Sequence, residues 1–446
     1  MSSINDDRPS STTYDVVPPL RVPEPTSVTS AAGSPGSTAQ GRVTKMLRML
    51  ATLLVGAGVG AGTAFVGLRV LRHGGNAAPA AHHLNVVVLV ALVVALGMFV
   101  ILLHELGHVL GGRLAGMRFV ALVIGPVRFV RVDGRVRAQW SNRLFGGAAI
   151  CAPERWEGAR AFRRAMRRFV GGGPLTSLVV GGVALALFAG LHPAALARDS
   201  WWMLLVLGGV MSLGIGVVTL IPISGSGAGG TTDGAQLLRF REPRGDAAHG
   251  DSPVPWYVPF SAVGAMAALR RPREWDTELV RLLEETADRP GAVVGVLCMS
   301  YYRALDAGDL PHAAKRLQQA VDRAYAEQTL TSRVVQGVMA VEGAVFESVW
   351  RDDLDRARAW MTHAGHGAER HRSGQLIVQA MELRARGERD AAREELAVAR
   401  QENRRGGFPS AVLMNLATIE RAEARIDEAV RGEQPGVGLG SGAGVE

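Results

Sequence analysis

The sequence reads as an α-helical integral membrane protein with a small β-hairpin insertion, followed by a cytosolic all-α helical-repeat domain. Three observations lead there. Four apolar runs are each about the length that crosses a bilayer, roughly 20 residues. A basic segment rich in β-branched and aromatic residues separates the second run from the third. From about residue 255 the chain turns to Arg, Glu and Ala, with small residues recurring at helical spacing.

Residues 1–44 are rich in Ser, Thr, Pro and Gly and are expected to form a disordered tail. The membrane domain covers 45–240, with spans at about 49–68, 84–112, 174–191 and 201–223. The first run starts too late and is too long for a cleaved signal peptide. The second contains His104, Glu105 and His108 as its only strongly polar side chains. The loop 113–173 carries 13 Arg against Asp133, Glu154 and Glu157, which places it in the cytoplasm and puts both termini on the same side. Within that loop, "RFVALVIGPVRFVRVDGRVRAQW" predicts a hairpin that turns at Asp133 and Gly134. "GGAAICAP" adds a third short strand, and "EGARAFRRAMRRFV" a basic amphipathic helix on the inner leaflet.

Residues 241–260 read as a linker, 261–430 as the helical-repeat domain and 431–446 as a flexible Gly-rich tail. Gly308 is followed by Ala313, Leu317 and Ala320, and Gly387 by Ala392, Leu396 and Ala399 at the same offsets. Ala357, Met361 and Ala364 repeat the last two steps. Such spacing lets paired helices pack closely, in a degenerate tetratricopeptide-like pattern. His363, His366 and His371 are assigned to a solvated face, and His82 and His83 to a membrane interface.

The formal charge is +8, carried almost wholly by Arg. With this much apolar sequence, membrane topology accounts for the excess, and nucleic acid is not an expected partner. Two cysteines, Cys151 and Cys298, give neither a disulfide framework nor a cysteine-based zinc site.

The chemistry lies in "ILLHELGHVLGG". His104 and His108 are four residues apart and share a helix face, where two imidazoles can hold one Zn²⁺. Glu105 beside them suits a general base. Three ionisable groups within an apolar run are expensive in a membrane, and function is their default explanation. A catalytic zinc takes a third protein ligand and keeps one position open. Asp233, in "LIPISGSGAGGTTDGAQLL", is the one acid near the fourth run. Its other assignment is a helix N-cap.

These motifs resemble those of the site-2 protease family of intramembrane metalloproteases. "HELGH" is similar to the family's first motif, the D-G of "TTDG" to its second, and "GGGPLTSLVVG" to the start of the span between them. The resemblance covers about 85–240. It implies zinc ligands His104, His108 and Asp233, one ion per chain, and Glu105 as general base. Thr219, Thr176 and Ser177 stand where the family often has Asn, which bears on substrate or oxyanion binding more than on the metal. The expected activity is cleavage of transmembrane segments of membrane-anchored substrates, in regulated intramembrane proteolysis. The lipid bilayer is the expected environment, and a cytosolic protein is the expected partner of the helical repeats. The rival reading is a non-proteolytic membrane adaptor that recruits partners through those repeats. A metal transporter would want acids or histidines in several spans.

Overall fold

The computed structural model describes residues 17, 19–23, 86–132, 135–140, 146–190, 201–223, 231–241, 254–326, 330–365, 369, 371–406 and 409–432. The first expected span, 49–68, and His82, His83 and His366 lie outside these residues. The chain divides into two units, one of residues 27–254 and one made of 1–26 with 255–446.

The first unit is built on three apolar helices, α1 (Val86–Leu114), α2 (Ala159–Gly190) and α3 (Trp201–Leu220). Within the described residues, Ala91–Leu114 and Ala159–Gly190 are long and apolar enough to cross a membrane; Leu204–Leu220 is apolar but shorter. The basic stretch before Pro174 is not a separate helix. It continues into the third apolar run as one 32-residue helix with Pro174 inside it.

Helix packing here depends on glycine. A Cβ on Gly107 would stand 2.5 Å from the Gly172 carbonyl oxygen, and one on Gly111 2.2 Å from that of Arg168. Backbone therefore meets backbone where α1 crosses α2, the close approach that small residues allow between apolar helices. Gly181 plays the same part between α2 and α3, where a Cβ would lie 2.7 Å from the Gly209 oxygen.

The insertion between α1 and α2 is larger than a hairpin. Strands β1 (Met117–Ile124), β2 (Val127–Val132), β3 (Arg135–Trp140) and β4 (Gly147–Pro153) form an antiparallel sheet in the order β3-β2-β1-β4. The expected first strand is split by Gly125 and Pro126, with Gly125 at φ +51°. Val132 pairs with Arg135, and the expected turn residues Asp133 and Gly134 between them lie outside the described residues. The β1–β4 register starts from Met117 opposite Pro153 and leaves β4 at the sheet edge. After α3, a short helix α4 (Asp233–Arg239) closes the unit.

From residue 257 onward the described part of the second unit consists of helices joined by turns. Helix α5 (Tyr257–Met266) begins inside the stretch read as a linker, because Val258, Ala262, Val263 and Met266 form a fully buried face. It is followed by α6 (Thr277–Ala287), α7 (Val294–Asp306), α8 (Leu310–Ala326) and α9 (Leu330–Val345). A π-helical turn (Phe346–Arg351) leads to α10 (Leu354–Met361), α11 (Arg372–Ala385), α12 (Arg389–Gly406), α13 (Pro409–Met414) and α14 (Leu416–Gly432).

Gly308 and Gly387, both near φ +80°, make the left-handed links of the α7–α8 and α11–α12 hairpins. The small residues after them, from Ala313 to Ala320 and from Ala392 to Ala399, are at most 1% exposed at the noted offsets. The middle segment has the corresponding left-handed link, Asp352 at φ +63° between the π-helical turn and α10, and Ala357 is fully buried. Helix α10 ends at Met361, so Ala364 falls in the turn beyond it. The N-terminal tail is also not wholly unstructured: Val17 and Leu20 are 4% and 2% exposed, packed within this unit.

Candidate metal centre

His104 and His108 project from the same face of α1, as their four-residue spacing requires. Each ring has one nitrogen already engaged. His104 Nδ1 lies 2.9 Å from Ser177 Oγ, and His108 Nδ1 lies 2.9 Å from the Phe169 carbonyl oxygen, both on α2. The Nε2 atoms are thereby turned toward each other, 3.2 Å apart. Ser177 is held in turn: Ser212 Oγ on α3 donates to the Ser177 carbonyl at 2.8 Å. Hydrogen bonds of this kind on the second ring nitrogen fix tautomer and orientation in metal-binding histidines.

Asp233 completes the group. Its Oδ2 is 3.3 Å from His104 Nε2 and its Oδ1 is 3.6 Å from His108 Nε2. The N-cap of α4 is Thr232, not Asp233, and this leaves the carboxylate free to face the histidines. Thr232 also staples the ends of the connection from α3. Its hydroxyl donates to the Ile221 carbonyl at 2.6 Å and accepts from the Ile223 N–H at 3.0 Å. Gly234 follows because a Cβ there would stand 1.9 Å from the Leu220 oxygen. The D-G pair thus combines a donor with a close backbone approach.

His104, His108 and Asp233 each offer one donor atom, all within 4.8 Å of one another, and the group could hold a metal ion. Donors around a tetrahedral zinc at about 2.0–2.1 Å stand roughly 3.3 Å apart. The two histidine nitrogens are 3.2 Å apart, near that figure, and the two Asp233 oxygens lie 3.3 and 3.6 Å from one histidine each. Two imidazole nitrogens and one carboxylate oxygen are a donor set that a first-row divalent metal ion can take.

Glu105 is 7% exposed and sits against the edge strand. A Cβ on Gly147 at the start of β4 would lie 2.4 Å from Glu105 Oε1. Gly173 has the same relation to His108, with a Cβ 2.3 Å from Nε2. The Phe169 carbonyl, Gly173, Gly147 and Thr232 are supporting residues that sequence reasoning did not assign, and Ser177, read there as bearing on substrate or oxyanion binding, lies against His104. Two signals were present: the run of three glycines at 171–173, and the small polar residue four positions beyond it. Thr219 hydrogen-bonds back to the Gly216 carbonyl in its own helix at 3.4 Å, and Thr176 packs against Gly107. Comparison of the chain with protein-family models, with characterised proteins and with solved structures finds no match.

Proposed function

We propose that the chain is an intramembrane zinc endopeptidase that cleaves the transmembrane segments of membrane-anchored proteins. The observation that carries this reading is the meeting of His104, His108 and Asp233 beside Glu105, on helices whose outer faces are apolar and open. Leu175, Val179, Val183 and Leu187 make a continuous stripe down α2, each more than half exposed. Among the described residues, most of the apolar length of α1 and α2 is not buried within the protein, as suits helices that face lipid. Lipid is the solvent that such faces fit.

The bound zinc would polarise a scissile carbonyl and lower the pKa of a coordinated water. Glu105 takes a proton from the attacking water and returns it to the leaving amine. A peptide bond in a transmembrane helix has its backbone groups paired internally, so the substrate must unwind to be cut. Strand β4 supports that step. It is a sheet edge, it begins against Glu105, and an extended substrate segment can add to it through main-chain hydrogen bonds. The 13 Arg of 113–173 support a cytoplasmic insertion, with both termini on that side and the cut segment released there.

Metal analysis of detergent-purified protein should show about one zinc per chain. The His104→Ala/His108→Ala double variant should show none; zinc retained at that ratio would sink the site. Glu105→Gln should keep the zinc and lose cleavage of a co-expressed single-span substrate by roughly 10²–10⁴-fold, since the amide cannot take the proton. Equal cleavage by Glu105→Gln and wild type would refute the mechanism. Stoichiometric zinc with no cleavage by wild type would favour the adaptor reading instead.

A further inference from the structure

The helical unit already holds a peptide. Val17 and the residues from Pro19 to Pro23 run without helix or strand across α8, the π-helical turn and α10. Val17 and Leu20 are buried, while Pro19 and Arg21 between and beside them are exposed. The main chain of this arm is read group by group. The Leu20 N–H donates to Glu347 Oε1 at 2.9 Å, and the Arg21 N–H to Gln318 Oε1 at 2.7 Å. Arg351 donates to the Val17 carbonyl and Arg356 to the Leu20 carbonyl.

The receiving side is built for this. Glu347 is fully buried and is held by Arg351 at 2.9 Å and Arg356 at 3.5 Å. Glu347 and Arg351 both lie on the six-residue π-helix, which ends at Asp352 with φ +63°. Such π segments are rare and concentrate at functional sites. The prolines in "VVPPLRVP" lack N–H groups and pre-set an extended backbone, which lowers the ordering entropy lost on docking. The donors and acceptors on the groove therefore meet the few main-chain groups that such a segment can offer.

We propose that this groove reads extended, proline-flanked peptides with apolar anchors three residues apart, and that the N-terminal arm is its resident, exchangeable ligand. Val17 and Leu20 supply the anchors. The contacts of Glu347, Gln318, Arg351 and Arg356 go to the main chain, so specificity rests on the two apolar side chains and the prolines, with a weak exposed ion pair of Arg21 to Asp322 at 3.8 Å beside them. A cytosolic peptide of the same chemistry competes for the site and frees the arm.

The test uses the full chain in detergent, with a site-specific protease sequence inserted at 33–36. After cutting, the N-terminal fragment should co-elute with the remainder on size exclusion. A synthetic peptide of residues 14–25 should displace it in a dose-dependent way. The same peptide carrying Leu20→Asp should need a concentration roughly tenfold or more higher, because a charge replaces a buried anchor. Gln318→Ala in the chain should weaken retention without loss of helical signal. A fragment lost on cutting, or one that stays bound at saturating peptide, would overturn the proposal. So would equal displacement by the wild-type and Leu20→Asp peptides.

Discussion

Ser177 makes the sharpest test of how the metal centre is held. Its hydroxyl is the partner of His104 Nδ1, and it is fully buried between α1 and α3. Ser177→Ala leaves that nitrogen without its side-chain partner and the imidazole free to turn. Metal affinity should fall by roughly 10–100-fold, as for other residues that orient a ligand. Chelator competition on the purified protein measures it; unchanged affinity would remove Ser177 from the site. Gly173→Ala should do more harm, because its methyl would occupy the space of His108 Nε2. The ligands themselves were legible in the sequence. Helical geometry alone puts His104 and His108 on one face, and Asp233 is the one acid near the fourth apolar run. Where Ser177, Gly173 and Gly147 fit was not. Each reaches the site from an element more than 40 residues away, and only the packing of α2 and β4 on α1 defines what it touches.

Elements show where local rules were overridden by packing. Pro174 normally marks a helix boundary, yet α2 runs through it. Close packing secures both sides of the proline, through Gly107 and Gly111 of α1 before it and Gly209 and Leu213 of α3 after it. The G-P at 125–126 acted in the ordinary way and divided one apolar run into two strands. His371 shows the opposite kind of surprise. Its sequence context suggested a solvated face, but its Nε2 lies 2.6 Å from Glu342 Oε1, and the side chains are 13% and 5% exposed. Burial pushes Glu342 up and His371 down, but their mutual charge and hydrogen bond win, so Glu342 is lowered from 4.5 and His371 raised from 6.5. The Tyr301 and Tyr302 hydroxyls also face the carboxylate and help to lower it. The sign follows directly. The Glu342 contribution is present above 4.5 and lost as pH falls through its lowered value; the His371 contribution is present below 6.5 and lost as pH rises through its raised value. Wild type should therefore exceed His371→Gln in stability most between those two limits, by roughly 1.5–3 kcal/mol, the range for hydrogen bonds to charged groups. Thermal unfolding of both proteins across pH reads the difference, and a difference independent of pH would contradict the ion pair.

Under the proposed function, the depth of the site in a bilayer would decide which fragment is released. Helix α1 has 29 residues, which at 1.5 Å each is about 43 Å, longer than a hydrocarbon core of about 30 Å. It must tilt or protrude. His104 lies 18 residues beyond Val86, or about 27 Å along the axis, and His108 lies about 6 Å further. The first charge after them is Arg113, at the end that leads into the basic insertion. Under the proposed topology that end is cytoplasmic: a tilted helix puts both histidines in the inner half of the bilayer, while protrusion of the excess length would place them anywhere from the midplane to the cytoplasmic edge of the core. Strand β4, the proposed docking edge, meets α1 at Glu105, at the same level. Under the proposed function the candidate ligands, Glu105 and the strand edge would lie at one depth, and a substrate helix would have to unwind only there. Cleavage should fall in the cytoplasmic half of the substrate's span and free its cytosolic domain. Mass spectrometry of the new terminus measures the position. A cut in the outer half would contradict either the orientation drawn from the 13 Arg or the placement of His104 along α1.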